Sequence, residues 1–357
     1  MWRLYKVFVI LTFFALPSRL LGQIRIELID SSQAGCSFRG LSVVTDKVVW
    51  VSGTKGTVGR SVDGGQTWTW RQVPGFEKSD FRDIEAFDKN RAVIMASGTP
   101  AVILKTVDGG QTWKLVFKDE RPEVFLDAMD FWDKKHGMMV GDPINGHFVL
   151  LETKDGGDSW KMLDSAFCPV ALDSEAVFAA SGTSLRCWGK DEFGFVTGGG
   201  VSRLVLGKQL LAAFTFVELS IPQGYSSAGA FSFSKGKHYF KVVGGDYLCD
   251  TCVLVNSCNI FKSDGLYSKP VAGSVYTSCI ELTHGIIKSE NGILYSVVTG
   301  TSYTEVTHEV FVNQHGIYIY PCLTFSIGFN VVRQSKAKKG KAVFLAGSKG
   351  RIGKLIY

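Results

Sequence analysis

The sequence predicts an all-β chain wound into a β-propeller of seven four-stranded blades. Three observations carry that expectation. The phrase Ser61-Val62-Asp63-Gly64-Gly65-Gln66-Thr67-Trp68 returns as Thr106-Val107-Asp108-Gly109-Gly110-Gln111-Thr112-Trp113, and again as Thr153-Lys154-Asp155-Gly156-Gly157-Asp158-Ser159-Trp160, its aspartate displaced by 45 and then 47 residues. A tandem period of that length marks an array of similar units, and in a β-rich chain it matches blades of about 40–50 residues. Glycine is abundant at 40 residues and proline scarce at 9, and short β-branched runs alternate with turn signals where a helical period is missing. Shared among seven blades, residues 23–357 allot about 48 residues to each, so a single domain accounts for the length.

Residues 1–22 read as a secretory signal peptide. Arg3 and Lys6 start it, Val7 to Pro17 forms its apolar core, and cleavage falls before Gln23. That core is too short to span a bilayer. The expectation is an exported protein, periplasmic or extracellular, with no stable membrane span after cleavage. Ile24-Arg25-Ile26-Glu27-Leu28 alternates and can complete the last blade beside Arg351 to Ile356, leaving the ring without an open edge. Inner strands are expected at Phe38–Val43, Phe81–Phe87 and Val124–Phe131, and four more are expected to begin near Ala176, Ala230, Val275 and Ile327. Lys208 to Tyr225 fits the rhythm least, as a drifted strand pair or an insertion. Lys262 to Tyr267 reads as a decayed copy of the repeated phrase.

Removing the signal lowers the formal charge from +6 to +3. No basic stripe interleaved with aromatics appears, so nucleic acid is not an expected partner. The basic run Arg333 to Lys341 reads as a solvated turn. Among the eight cysteines, Cys249-Asp250-Thr251-Cys252 reads as a loop disulfide or as free buried thiols, because no second such pair follows to build a zinc site. The six histidines are scattered, so neither a metal nor a cofactor is expected, and a monomer is.

Asp-Gly-Gly between two apolar runs is a turn signal, since the aspartate accepts backbone N–H groups and glycine reaches φ > 0 without steric cost. Asp63, Asp108 and Asp155 are expected to staple hairpins that Trp68, Trp113 and Trp160 cap by folding back. On these residues the chain resembles the Asp-box, or BNR, repeats of β-propellers. Phe81-Arg82-Asp83-Ile84, the later Gly98 and the phrase from Thr106 to Trp113 together resemble the photosystem II stability/assembly factor family. Val140-Gly141-Asp142-Pro143, Val243 to Tyr247 and Ala346 to Gly353 resemble its exported bacterial relatives. The resemblance is specific over residues 37–163 and patchy beyond, and it implies assembly or binding without chemistry.

Propeller geometry brings the starts of inner strands and the turns after second strands to one face. Arg39, Arg82, Asp83, Asp127, Asp142 and Asp246 are therefore expected around one mouth of the channel, as a ligand or partner site or as inter-blade ion pairs. No residue is assigned a catalytic role. The expected function is a non-catalytic exported module that binds a protein or glycan through this Arg/Asp face. The alternative is a sialidase-like glycoside hydrolase, which would need a third channel arginine, with Arg333 the one candidate, and paired carboxylates such as Asp127 and Asp142.

Overall fold

The computed structural model describes residues 24–209, 211–261, 266–271, 275–284, 294–311 and 317–357. The expected signal peptide and the decayed repeat at 262–265 lie outside them. Seven antiparallel sheets stand side by side in a ring, each with its strands in the order inner to outer. Blade 1 consists of Phe38–Val43, Val49–Gly53, Thr57–Ser61 and Thr69–Gln72. Blade 2 runs Phe81–Ala86, Ala92–Ala96, Ala101–Thr106 and Lys114–Asp119, and blade 3 Leu126–Phe131, Gly137–Ile144, His147–Thr153 and Lys161–Met162. Blade 5 opens at Tyr225–Lys235, blade 6 at Cys279–Thr283 and blade 7 at Val331–Gln334. Each inner strand packs against the next, and that of blade 7 returns to that of blade 1.

Arg25–Asp30 pairs antiparallel with Ile352–Ile356 and forms the outermost strand of blade 7, as its alternation predicted. The ring is thus closed by hydrogen bonds between its two ends, and Ile352–Ile356 has a partner on both sides.

Blade 4 departs from expectation. Its inner strand is Leu185–Trp188, not a strand from Ala176. Glu175–Ala176 instead pairs with Gly198–Gly199, and this short ladder extends the inner edge of blade 5. Arg203–Lys208 and Leu211–Glu218 are the third and fourth strands of blade 4, so the drifted region is an ordinary blade hairpin. The inner strands of blades 6 and 7 begin four residues later than Val275 and Ile327.

The three repeated phrases form the same hairpin between third and outermost strands. In the first, Ser61 Oγ donates to Asp63 Oδ1 (2.8 Å), and the other aspartate oxygen accepts Thr67 Oγ1 (2.5 Å). The Gly65 N–H donates to Ser61 Oγ (2.9 Å) and the Thr67 N–H to Asp63 Oδ1 (2.9 Å). Gly64 and Gly65 sit at φ +81° and +90°, where a side chain would be strained. Asp108 and Asp155 repeat these bonds with Thr112 and Ser159. Two carboxylates fall to a pKa of about 2, Asp63 and Asp108, each first through its Thr hydroxyl donor and then through that residue's N–H.

Trp113 and Trp160 lie beside Gly110 and Gly157 of their own turns, Trp68 stacks on Trp70 of its own hairpin at 5.3 Å, and all three also reach the neighbouring blade. Trp160 is buried among Val93, Met95 and other blade 2 and blade 3 residues, edge-on to Phe131 at 5.8 Å. Trp113 packs into the cluster that holds Trp50 of blade 1, and Trp68 into the one that joins blade 7 to blade 1. Each indole seals a seam with the preceding blade. Trp68 and Trp113 are only half-buried. The core as a whole lies in these seams, as apolar slabs between adjacent sheets.

Adjacent inner strands share no backbone ladder, so their channel-facing N–H groups need other partners. Side chains of the preceding blade supply them. Ser42 Oγ accepts the Ala86 N–H (3.0 Å), Asp83 the Met129 N–H (2.8 Å), Asp130 the Cys187 N–H (2.7 Å), and Ser234 the Leu282 N–H (3.1 Å). These polar residues in apolar strands are seam clamps.

Candidate functional site

Each of the first three inner strands begins with a β-bulge, between Phe38 and Gly40, Phe81 and Asp83, and Leu126 and Ala128. The unpaired residue at each bulge is Arg39, Arg82 or Asp127. A bulge re-aims its side chain out of the regular alternation, and here it turns two arginines toward the channel mouth. They line a cavity of about 520 Å³ together with Asp142, Phe178, Tyr247 and Tyr276.

Arg82 is committed to the protein. Its Nε donates to Asp80 (2.6 Å) and a terminal nitrogen to the Ala179 carbonyl (3.0 Å). Arg39 is not. Its closest acid is Asp80 at 3.6 Å, and its guanidinium makes no side-chain hydrogen bond among the described residues. Burial, then the neighbouring Arg82 charge, lowers its pKa, while Asp80 pulls the other way. A desolvated guanidinium with free donors in a cavity is poised for an anionic acceptor, because a bidentate carboxylate would restore both its charge balance and its hydrogen bonds.

The acids behave differently from the expectation that all six charges ring the mouth. Asp83 is buried and bridges Ile84 and Met129 N–H groups, so it is a clamp between blades 2 and 3. Asp127 is fully buried beneath the segment 176–180, and neither oxygen has a well-formed hydrogen bond; the N–H groups of Ala179 and Asp142 approach it outside good geometry. Its pKa is raised well above the usual range by burial and then by Asp142. Asp142 itself accepts the Val177 N–H (2.9 Å), and burial lifts it to about 6. Asp246 caps a turn through the Leu248 N–H (2.9 Å) and does not line the cavity.

Sequence reasoning missed two features. One is an aromatic wall on the mouth: Phe178 stacks on Phe231 at 4.4 Å, and Tyr276 and Tyr247 meet Phe231 edge-on at 5.2 and 6.3 Å. The other is a charged plug lower in the channel. Arg186 donates to the Phe233 carbonyl (3.2 Å) and pairs with Glu281 (2.8 Å), crossing from blade 4 to blades 5 and 6. Glu85 pairs with Lys336 and lies 3.7 Å from Arg333. Arg333 is therefore an inner-strand residue beside Glu85, not part of a solvated turn and not a third arginine at the mouth. The alignment of Ser42, Glu85 and Asp130 at equivalent positions of the first three inner strands was the available signal. Among the described residues no group of three His, Cys, Asp or Glu is placed to hold a metal, and no helix is long and apolar enough to cross a membrane. Cys249 and Cys252 form a disulfide.

Burial raises Glu85 to about 7, against the opposing pull of Lys336, and raises Asp83, Asp127 and Asp142 in the same direction. The folded chain therefore keeps protons that the unfolded chain releases near pH 4–5. Stability is expected to fall as pH rises from about 5 to about 8, and Glu85→Gln should flatten that slope. Urea midpoints at four pH values check it; a midpoint that climbs with pH would contradict the assignment.

Residues 29–122 match the family model described as Photosynthesis system II assembly factor YCF48, a stretch that holds blades 1 and 2. Over those two blades the chain is similar to the YCF48 family. Two solved structures share its fold along nearly the whole length. One, a YCF48 bound to a D1 peptide, superposes with a TM-score of 0.57 at 13% identity, covering 94% of this chain and 95% of that one. The other, YCF48 from Cyanidioschyzon merolae, gives 0.55 at 14% identity, covering 92% and 98%. At such identities the likeness speaks for the propeller alone. Among curated proteins none matches the sequence.

Proposed function

We propose that this propeller is a non-catalytic assembly or binding module that takes a polypeptide segment at the Arg39 mouth and holds a carboxylate of it. The observation that carries the reading is the Arg39 guanidinium, largely desolvated, held only by a 3.6 Å ion pair to Asp80 and without a hydrogen bond among the described residues, facing a cavity with an aromatic opposite wall. The peptide-bound YCF48 supports a polypeptide over a glycan as partner. The glycosidase alternative fares worse, because Asp127 is sealed from any substrate and Arg333 sits beside Glu85. Export remains part of the proposal, resting on residues 1–22, and cell fractionation tests it.

The binding test uses dye-labelled peptides of varied sequence with free or amidated C-termini, read by fluorescence anisotropy. Arg39→Ala is expected to weaken carboxylate-bearing peptides by about tenfold or more, the loss of a charge-assisted bond pair. Its melting temperature should stay near wild type, since Arg39 holds no other group in place. Equal affinity for wild type and Arg39→Ala would sink the reading, as would turnover of an aryl glycoside panel.

A further inference from the structure

Residues 247–255 carry five of the fifteen large apolar side chains exposed among the described residues, Tyr247, Leu248, Val253, Leu254 and Val255. Leu248 is 78% exposed and Val253 67%. Isolated surface apolar residues need no explanation, but a contiguous cluster beside a cavity marks an interaction site. This loop follows the second strand of blade 5, Tyr239–Asp246, and stands on the rim of the Arg39 cavity, to which Tyr247 contributes directly.

The loop is braced rather than loose. Asp246 accepts the Leu248 N–H (2.9 Å), the Cys249–Cys252 disulfide closes the turn, and Asn256 Nδ2 donates to the Cys252 carbonyl (3.3 Å). Thr301 Oγ1 of the neighbouring blade donates to Asp250 (2.7 Å) and ties the loop down on its far side. Its apolar side chains are therefore held outward in a fixed shape, which lowers the ordering cost of receiving a ligand.

The rim is continuous with the arginine. Tyr276 lies in the field of Arg39, Phe231 meets Tyr276 at 5.2 Å, and Tyr247 meets Phe231 at 6.3 Å. About three or four residues of extended chain, at roughly 3.3 Å each, cover those two steps. We infer that the 247–255 loop is the apolar half of a two-part recognition surface. Its occupant is an extended peptide whose carboxylate meets Arg39 and whose large apolar side chain, a few residues away, packs on Leu248, Val253 and Tyr247. This rests on the peptide reading above and adds the partner's sequence character to it.

The test measures coupling across the surface. Gly/Ser octapeptides with a free C-terminal carboxylate carry Phe or Ser at each of the positions two to five residues before it, and bind the purified chain by anisotropy. Wild type is expected to favour Phe over Ser about tenfold or more at one position, a preference the amount of apolar area buried would supply. The Leu248→Ser/Val253→Ser double variant should bring that ratio close to one, while leaving the affinity for the Ser peptides and the melting temperature unchanged. Leu248→Ser alone should reduce it partway. A wild type indifferent to Phe at every position, or a double variant that keeps the full preference, overturns the inference while the carboxylate reading stands. Binding that ignores amidation and Arg39→Ala overturns both.

Discussion

Trp50→Ala is expected to destabilise the fold by about 3–5 kcal/mol, the range for emptying a fully buried aromatic site. Trp50 has no exposed surface and sits at the seam between blades 1 and 2, in the cluster shared with Phe81, Ile84 and Ile94. Its Nε1 donates to the Asp88 carbonyl of blade 2 (3.1 Å), and the Arg60 guanidinium lies 5.5 Å from its ring centroid. The substitution leaves a cavity between two stiff sheets, an unpaired carbonyl and an arginine without its platform. Collapse cannot relieve it, because each sheet is held by its other neighbour. Urea unfolding measures the loss. Trp113→Ala, which removes a half-buried ring from the same cluster, should cost clearly less. Equal costs would mean that the indole at the rim, not the one in the seam, carries the contact.

Arg186→Ala is expected to cost about 3–5 kcal/mol through a different mechanism, the stranding of buried charge. The side chain reaches from blade 4 to the Phe233 carbonyl of blade 5 and to Glu281 of blade 6. Burial raises the pKa of Asp130, and Lys336 and then Arg186 pull it down. Without Arg186, Glu281 loses its ion-pair partner and Asp130 keeps only Lys336. Arg186→Met fills the same volume but still leaves both acids, so it should recover little. Arg186→Met with Glu281→Gln removes half of the imbalance and should recover a measurable part. If Arg186→Ala unfolds at the wild-type urea concentration, the plug is solvated and the channel is wetter than its burial indicates.

The architecture was readable where the repeat is intact. Blades 1 to 3 carry the phrase around Asp63, Asp108 and Asp155, and their inner strands lie where the offsets place them. Blade 4 was misplaced because Ala176-Val177-Phe178 has the apolar, β-branched look of a strand. Its residues instead line the mouth, and the true inner strand, Leu185–Trp188, follows a polar run, Ser181 to Ser184, in which the Ser181 and Thr183 hydroxyls are buried and hydrogen-bonded. The site was half readable. Arg39 and Arg82 were found because strand starts map to one face. Asp83 and Asp127 were taken for mouth residues because a bulge, which shifts the in-and-out alternation by one residue, leaves no mark in a single sequence. The aromatic wall was missed because it is assembled from blade 5, blade 6 and the 176–180 segment, far apart along the chain.

The pairing of Arg25–Asp30 with Ile352–Ile356 has a consequence for biosynthesis. Arg25–Asp30 must wait for Ile352–Ile356, so a product lacking the latter cannot complete the circle. A ribosome that stops before Ile352 releases a chain whose Val343–Ala346 edge is bare, a template for sticking to other polypeptides. Only a chain that reaches Ile356 can cover this strand with its own residues.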